Sequence, residues 1–465
     1  MRRTVRFAAI LALLLPAQAA AASGAAGQAD ADPGYPFVSS ETPLDPARSV
    51  AATSDLNGDG HLDLLFGPAS PTSPAPIAVS LGDGTGAFAD PYEVTSSSVS
   101  DFTLVDFDGD GSEDLATARR DGDWVIAEVL TGAGDGTFEP RDSEVLPATH
   151  RLADPGYWAD VAAGDFTGDG RTDLAVRGSH SVAVLPNAAN LLGSAVETQV
   201  SMPPDDPSIG GRWGLLETGG FAAGDLDGDG DDDLLVEPWM YNYAPAHLTA
   251  MLAGPGGSLT QTDSPRGVRA DAFTLADLDG DGSLDLVADA RDSSVSCACL
   301  AVVRGNGDGT FSSTVTRPIS TGAAHPAIAD FTGDGIDDIS SAQQGMRRIM
   351  LLPGNGDGTF ADVIGEDPFS GFPSAVVGGD FNEDGKVDIA VTRRSLEIGL
   401  NDPDPVVPPP DPDPDPDPDP DPPAEADAAP VLDISATSLP RRLAALRRGV
   451  TISGSCEPEC MVTAV

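Results

Sequence analysis

The pattern Asp-x-(Asp/Asn/Thr)-x-Asp-Gly-x-x-Asp occurs seven times in this chain, opening at Asp55, Asp106, Asp165, Asp225, Asp277, Asp330 and Asp380. Successive copies begin 51, 59, 60, 52, 53 and 50 residues apart. Self-similarity at such a period marks units that cannot bury a core alone and must stack on their neighbours, as in propellers and solenoids. The repeat also gathers acidic groups, so each unit carries a candidate cation site.

Counted from its first Asp, the loop offers oxygen donors at fixed places. Position 3 is Asp108, Asp227 or Asp279 in three copies, Asn57 or Asn382 in two, and Thr167 or Thr332 in two. Position 5 is Asp59, Asp110, Asp169, Asp229, Asp281, Asp334 and Asp384; position 9 is Asp63, Asp114, Asp173, Asp233, Asp285, Asp338 and Asp388. Position 6 is glycine in every copy, which permits the sharp turn that brings these groups together. Position 7 is His61, Ser112, Arg171, Asp231, Ser283, Ile336 and Lys386, a set with no shared side-chain chemistry, so a ligand there is the main-chain carbonyl. An all-oxygen donor set in a flexible loop suits Ca2+, up to seven ions, better than Mg2+ with its rigid octahedron or Zn2+ with its preference for His and Cys. The four loops with a neutral third position are expected to bind more weakly.

An EF-hand is the nearest rival, and it needs an acid at position 12 between two helices. Position 12 here is Phe66, Thr117, Val176, Val236, Ala288, Ser341 and Val391. The flanks read as short strands, such as Phe102 to Val105 before the loop and Leu115 to Ala118 after it.

Each unit has a second signature downstream. Leu130 to Phe138 reads Leu-Thr-Gly-Ala-Gly-Asp-Gly-Thr-Phe, Val303 to Phe311 and Leu352 to Phe360 repeat it, and Leu81 to Phe88 is a close variant. Such Gly/Asp segments are hairpin turns. The unit then reads strand A, acidic loop, strand B, variable loop, strand C, Gly/Asp turn, strand D, and four antiparallel strands make one propeller blade. On these residues the chain resembles the FG-GAP/VCBS-type repeats, the family whose seven-bladed propeller forms the head of integrin α-subunits. The resemblance spans about residues 35 to 401 and implies an all-β, seven-bladed β-propeller of four-stranded antiparallel blades with calcium held at the matching loop positions. Thr332 at position 3 of copy six and Glu383 in place of Gly at position 4 of copy seven depart from the family pattern.

The seventh unit reaches strand C at Leu396 to Leu400 and supplies no strand D. The segment from Tyr35 to Pro43 looks like the strand D segments that begin at Phe88, Phe138, Phe311 and Phe360, so this N-terminal strand is expected to close blade seven and remove an exposed edge. Antiparallel alternation puts all the acidic loops on one face. The extra length of blades three and four carries Tyr157, Trp158, Trp213, Trp239, Tyr241 and Tyr243, which the strand order places on the opposite face. They are a candidate ligand face, for stacking on a sugar or anchoring a protein, and the competing reading is packing between blades.

Outside the repeats, Arg2, Arg3 and Arg6 followed by an apolar run and Ala-rich residues read as a bacterial secretory signal peptide over 1–22, with the propeller at 33–401. An Asp/Pro-rich tract at 402–430 reads as an extended spacer, and 431–465 as a small β-segment too short to hold a core unaided. In an exported chain Cys456 and Cys460 are a candidate disulfide, whereas Cys297 and Cys299 alternate on one apparent strand and are poorly spaced for each other; a four-Cys zinc site is the less favoured reading. Net charge is −49, and the residue left after calcium loading disfavours nucleic acid as a partner. His61, His150, His180, His247 and His325 show no metal-ligand spacing, and neither a nucleophile elbow nor a phosphate loop is present. The expectation is a secreted or cell-surface monomeric propeller, not inserted in a membrane, that binds an extracellular protein or glycan without catalysis. The alternative is a lectin or carbohydrate-active enzyme with its site on the aromatic face.

Overall fold

Each acidic loop is framed by strands that stop and start on its own residues. Strand A ends on the residue before position 1, at Ser54, Val105, Gly164, Gly224, Ala276, Ala329 and Gly379, and strand B begins on the Asp of position 9 in every copy. In this computed structural model residues 37–401 are described, apart from 46–47, 70–73, 147–158, 179–180, 201–212, 215–219, 238, 241–246, 267–269, 293–296, 313–314, 321–322, 344–347 and 365–372. The chain divides into two units, Met1–Pro405 and Val406–Val465, and every described residue belongs to the first. The leader, the spacer, the C-terminal segment and the Cys456/Cys460 pair therefore lie outside the described residues, as do Tyr157, Trp158, Tyr241 and Tyr243.

The described residues form an all-β, seven-bladed propeller. Blades one to five are antiparallel sheets of four strands in sequence order, for example Asp101–Val105, Asp114–Asp121, Trp124–Gly132 and Phe138–Val145 in blade two. Blade six shows three strands, Ala323–Ala329, Asp338–Gln343 and Arg348–Leu352. In blade seven Phe37–Pro43 pairs antiparallel with Ser395–Asn401, from Phe37 opposite Asn401 to Pro43 opposite Ser395. First and last strands of the ring are thus stitched together, as the sequence leads one to expect.

Strand B lies between two neighbours and faces a blade on each side, so it reads as a short continuous apolar run and is buried throughout in Asp173–Arg177, Asp233–Val236 and Asp388–Thr392. The core is correspondingly partitioned. Seven apolar clusters each join two successive blades, including Phe107 with Leu174 between blades two and three, and Phe381 with Phe66 between blades seven and one. Strands A pack side by side round the axis from blade two to blade seven and on to blade one, and the last gap is closed by strand A of blade two against strand B of blade one.

Strand D departs from expectation. Only Phe138 opens a full strand; Phe88, Phe311 and Phe360 each make one isolated bridge, to Gly82, Gly305 and Gly354. In blade one the chain runs from Phe88 through Asp90 and Pro91 before pairing over Tyr92–Glu93, and proline has no N–H to donate to a ladder. The outer strand thus varies from two residues in blade one to nine, Ser258–Arg266, in blade four.

Two outcomes follow for stability. Phe107 is 2 % exposed and lies in the cluster between blades two and three, so Phe107→Ala should cost about 3–5 kcal/mol in a denaturant titration. Deleting residues through Pro43 should expose the edge of Ser395–Asn401 and yield dimers or aggregates by size-exclusion chromatography, where the full chain stays monomeric.

Candidate metal centres and the opposite face

Within each loop the acids are held by backbone N–H groups of the turn. At position 5 one carboxylate oxygen accepts the N–H of position 7 in all seven copies, from His61 onto Asp59 at 2.9 Å to Lys386 onto Asp384 at 2.9 Å. At position 1 the carboxylate accepts the N–H of position 4 or 6, as Asp55 does from Gly58 at 2.8 Å and Gly60 at 3.0 Å. Asp59 is held below its ordinary value by the His61 N–H and then by Asn57. Gly58, Gly109, Gly168, Gly228, Gly280 and Gly333 take positive φ at position 4; Glu383 takes φ 60° there in copy seven, a strained choice for a residue with a Cβ. Its carboxylate pairs with the His61 ring, so the unusual residue links loop seven to loop one.

The Asp of position 9 does something different. It is at most 1 % exposed in every copy. One of its oxygens accepts an N–H from the end of strand C: Gly82, Gly132, Asn187, Ala253, Gly305, Gly354 and Asn401, at 2.9, 2.9, 2.7, 2.7, 2.9, 2.8 and 2.6 Å. The other accepts from the start of the loop, at position 2 in Leu56, Phe107, Leu226, Leu278 and Phe381, and at position 3 in Thr332. In these six copies the carboxylate thereby clamps the acidic loop to the end of strand C in its own blade, whereas Asp173 in copy three accepts an N–H only from the strand C end. The first glycine of that turn is needed for close approach: a Cβ on Gly132 would stand 2.1 Å from the Glu113 carbonyl oxygen.

Position 2, an unspecified letter in the sequence pattern, proves to be the seam. It is Leu56, Phe107, Phe166, Leu226, Leu278, Phe331 or Phe381, each buried in the cluster shared with the following blade. Its carbonyl accepts a hydrogen bond from that next blade's turn in five copies: Leu56 from Gly136, Phe107 from the Asn187 amide, Leu226 from Gly309, Phe331 from the Asn401 amide, and Phe381 from Gly86. The signal was in the sequence as a Leu or Phe at one place in seven copies.

The electrostatics bear on a cation. In copies two, four and five the acids converge: ligand atoms of Asp106, Asp108 and Asp114, of Asp225, Asp227 and Asp229, and of Asp277, Asp279 and Asp281 lie within 4.8 Å of one another. These are the copies with Asp at position 3. In the others Asn57, Thr167, Thr332 and Asn382 stand there, and Asn57 and Asn382 donate to Asp59 and Asp384. Burial lifts the position 9 carboxyls, opposed by their N–H donors and reinforced by neighbouring acids, to about 7 for Asp233 and about 6 for Asp173, Asp285 and Asp388. Loop four is the most crowded. Burial followed by neighbouring acids raises Asp227 and Asp231, and burial raises Asp232. Carboxylates about 4 Å apart repel by about 4 kcal/mol at an effective dielectric near 20. The oxygen-only donor set fits a calcium ion, which would be held by positions 1, 3, 5 and 9 with the position 7 carbonyl and would cancel this repulsion.

At the opposite end of the sheets, blade four alone among the described residues is extended by a two-stranded ribbon, in which Trp213 stands opposite Met240 and Gly214 opposite Trp239. The backbone register brings these two tryptophan positions together, one before strand A and one after strand B. On the same end, Arg177, 1 % exposed, pairs with Asp160 and sits 6.0 Å from the Phe221 ring, while Asp101 accepts the Val161 N–H at 3.0 Å. Burial raises Asp101 and Asp160 together. This group bridges blades two, three and four. An open groove of about 450 Å³ lies on the loop face, between Asn57 and Asp59 of loop one and the turn from Leu81 to Ala89.

A family model described as FG-GAP-like repeat matches residues 55–117, 106–176 and 330–391. Each match opens on the first Asp of one loop and closes on position 12 of the next, so the matched unit spans one seam. No curated protein sequence matches the chain. Among solved structures, an Agrocybe aegerita lectin described as recognising non-reducing terminal N-acetylglucosamine is 20% identical, with 75% of this chain and 86% of that one covered at a TM-score of 0.47. The rhamnogalacturonan lyase YesW is 13% identical over 78% and 75%, TM-score 0.43, and a Lactobacillus plantarum protein 14% identical over 73% and 99%, TM-score 0.45. Among the described residues no helix is long and apolar enough to cross a membrane.

The raised position 9 carboxyls set a pH dependence. The folded state holds their protons above the unfolded value near 3.8, so without metal stability falls as pH rises from about 4 through about 7. In EGTA the melting temperature should drop across that window; in millimolar calcium, which binds the ionised form, the drop should vanish. A slope identical in both buffers would exclude metal at these loops.

Proposed function

Because the chain is an FG-GAP-repeat β-propeller with seven acidic loops on one face, we propose that it is an exported, calcium-stabilised binding module, without catalysis, whose ligand meets the opposite face. The observation that carries this reading is the division between the two ends of the sheets. On one end the position 9 carboxylate holds the end of strand C in every blade, and in five copies the loop is bonded to the next blade. On the other end blade four is extended by the ribbon that pairs Trp213 with Met240 and Trp239 with Gly214. Rigid aromatics need little ordering on binding, and they serve a glycan by stacking and a protein as anchors.

Calcium acts here as a structural ion. An ion at about 100 times its dissociation constant contributes about 2.7 kcal/mol per independent site. The leader at 1–22 points to export, into surroundings where free calcium reaches modest-affinity sites. A non-catalytic role is favoured because the carboxyls raised toward neutrality have structural employment: those at position 9 clamp backbone N–H groups, and Asp101 and Asp160 sit among Val161 and Arg177 between blades.

The full chain on a glycan array and against extracellular-matrix proteins, with calcium and with EGTA, is the test. Binding to one class should appear in calcium and fall at least about tenfold in Trp213→Ala and Trp239→Ala, with the melting temperature kept. Undiminished binding by both variants would place the ligand elsewhere. Turnover of a polysaccharide, abolished by the same changes, would replace the binding module with the alternative, a carbohydrate-active enzyme.

A further inference from the structure

Three loops carry a fourth carboxylate at position 3, and two of them have a guanidinium on it. Arg141, from strand D of blade two, donates from Nη1 to Asp108 Oδ2 at 2.7 Å and to Thr131 Oγ1 at 3.2 Å, and from Nε to the Asn190 carbonyl in the turn of blade three at 2.8 Å. Asn190 returns the contact by donating its amide to the Asp108 carbonyl at 3.1 Å. Arg304, at the end of strand C in blade five, places Nη1 2.8 Å from Asp279 Oδ2 and donates from Nη2 to the Asp357 carbonyl in the turn of blade six. The two arginines come from different places in the repeat, yet each spans the same two things: the position 3 carboxylate of loop n and the turn of blade n+1. The carboxylates beneath them are largely covered, with side chains 10% and 9% exposed.

The geometry points to Arg141 and Arg304 as chain-borne counter-ions that neutralise the extra carboxylate of loops two and five and bolt the seams between blades two and three and between blades five and six, so that these two seams stay closed without a metal ion. The bookkeeping of charge agrees. Each arginine brings its loop from four acidic side chains at positions 1, 3, 5 and 9 to a net of three, while loops one, three, six and seven have three acids there because Asn or Thr occupies position 3, and loop three has its own Arg171 on Asp169. Loop four is the exception: Asp227 has no basic partner among the described residues, and Asp231 and Asp232 add to the crowding. A guanidinium suits the task because its planar fork donates in two directions, whereas an ammonium is a point charge. Loop four is therefore the loop whose closure depends most on an external divalent ion, a clause that rests on the calcium reading above.

Hydrogen exchange read by mass spectrometry on the full chain in EGTA decides this. In the wild type, residues 106–114 and 277–285 should exchange more slowly than 225–233. Arg141→Gln should speed exchange on the order of tenfold at 106–114 and in the turn at 186–192, and Arg304→Gln at 277–285 and 355–359, the other seams keeping their protection. Arg141→Lys and Arg304→Lys, which keep the charge and lose the fork, should restore only part. Loops two and five exchanging as fast as loop four in the wild type, no change in the Gln variants, or a uniform rise at all seven loops would each overturn the inference. Adding calcium to the wild type is the separate check on the metal: unchanged protection at 225–233 would sink the calcium reading and leave the EGTA comparison to stand on its own.

Discussion

The fold depends on a buried carboxylate repeated seven times. An Asp at the head of strand B is desolvated, and its burial would be costly if its oxygens were unmatched. In six copies they are matched by two N–H groups, one where the acidic loop leaves strand A and one where strand C ends, and Asp173 in copy three takes only the second. A single side chain thus satisfies the backbone at both corners of a blade and fixes the loop against the turn. Apolar replacement would leave both donors buried and unpaired, and Asn would offer only one acceptor.

That clamp also places the residues through which blades touch. With the loop fixed, its second residue points its Leu or Phe side chain into the core shared with the next blade and offers its carbonyl to that blade's turn. The acidic loop, the inter-blade core and the inter-blade hydrogen bond are consecutive atoms of one short segment. A cation held in the loop would act on the ring as a whole, because tightening a loop would tighten its seam. The ring closes by the same means: the Gly86 N–H reaches the Phe381 carbonyl and the His61 ring meets Glu383 across the junction of blades one and seven, beside the N-terminal strand that completes the last sheet.

Much of this was legible in the sequence, for physical reasons that also explain what was not. Period, loop spacing and glycine positions depend on local backbone geometry, so the blade count, the strand order and the closing strand Phe37–Pro43 could be read from residues alone. The role of Leu56 or Phe107 could not be separated from an arbitrary letter, because contact with the next blade is a property of the ring rather than the loop. That the candidate ligand at position 9 also clamps backbone N–H groups shows only in the placement of Gly82, Gly132 and their equivalents. The guanidiniums on Asp108 and Asp279 come from Arg141 and Arg304, which occupy unrelated places in the repeat and have no periodic signature. Strand D starts later than the sequence suggests in blades one and five, where Phe88 and Phe311 make an isolated bridge and pairing resumes at Tyr92 and Val315.

The same constraints decide where such a chain can vary. Any residue added to an acidic loop would shift a carboxylate relative to two N–H donors and a side chain relative to its neighbour's core, so the loop face tolerates little change. At the other end the connections join strand B to C and strand D to the next A, and there the repeat spacing varies. The longest spacings, 59 and 60 residues, begin at Asp106 and Asp165, and Trp213 of the blade four ribbon falls within the second of them. A seven-fold scaffold whose acidic loops are uniform thus becomes asymmetric where blade four carries its added ribbon.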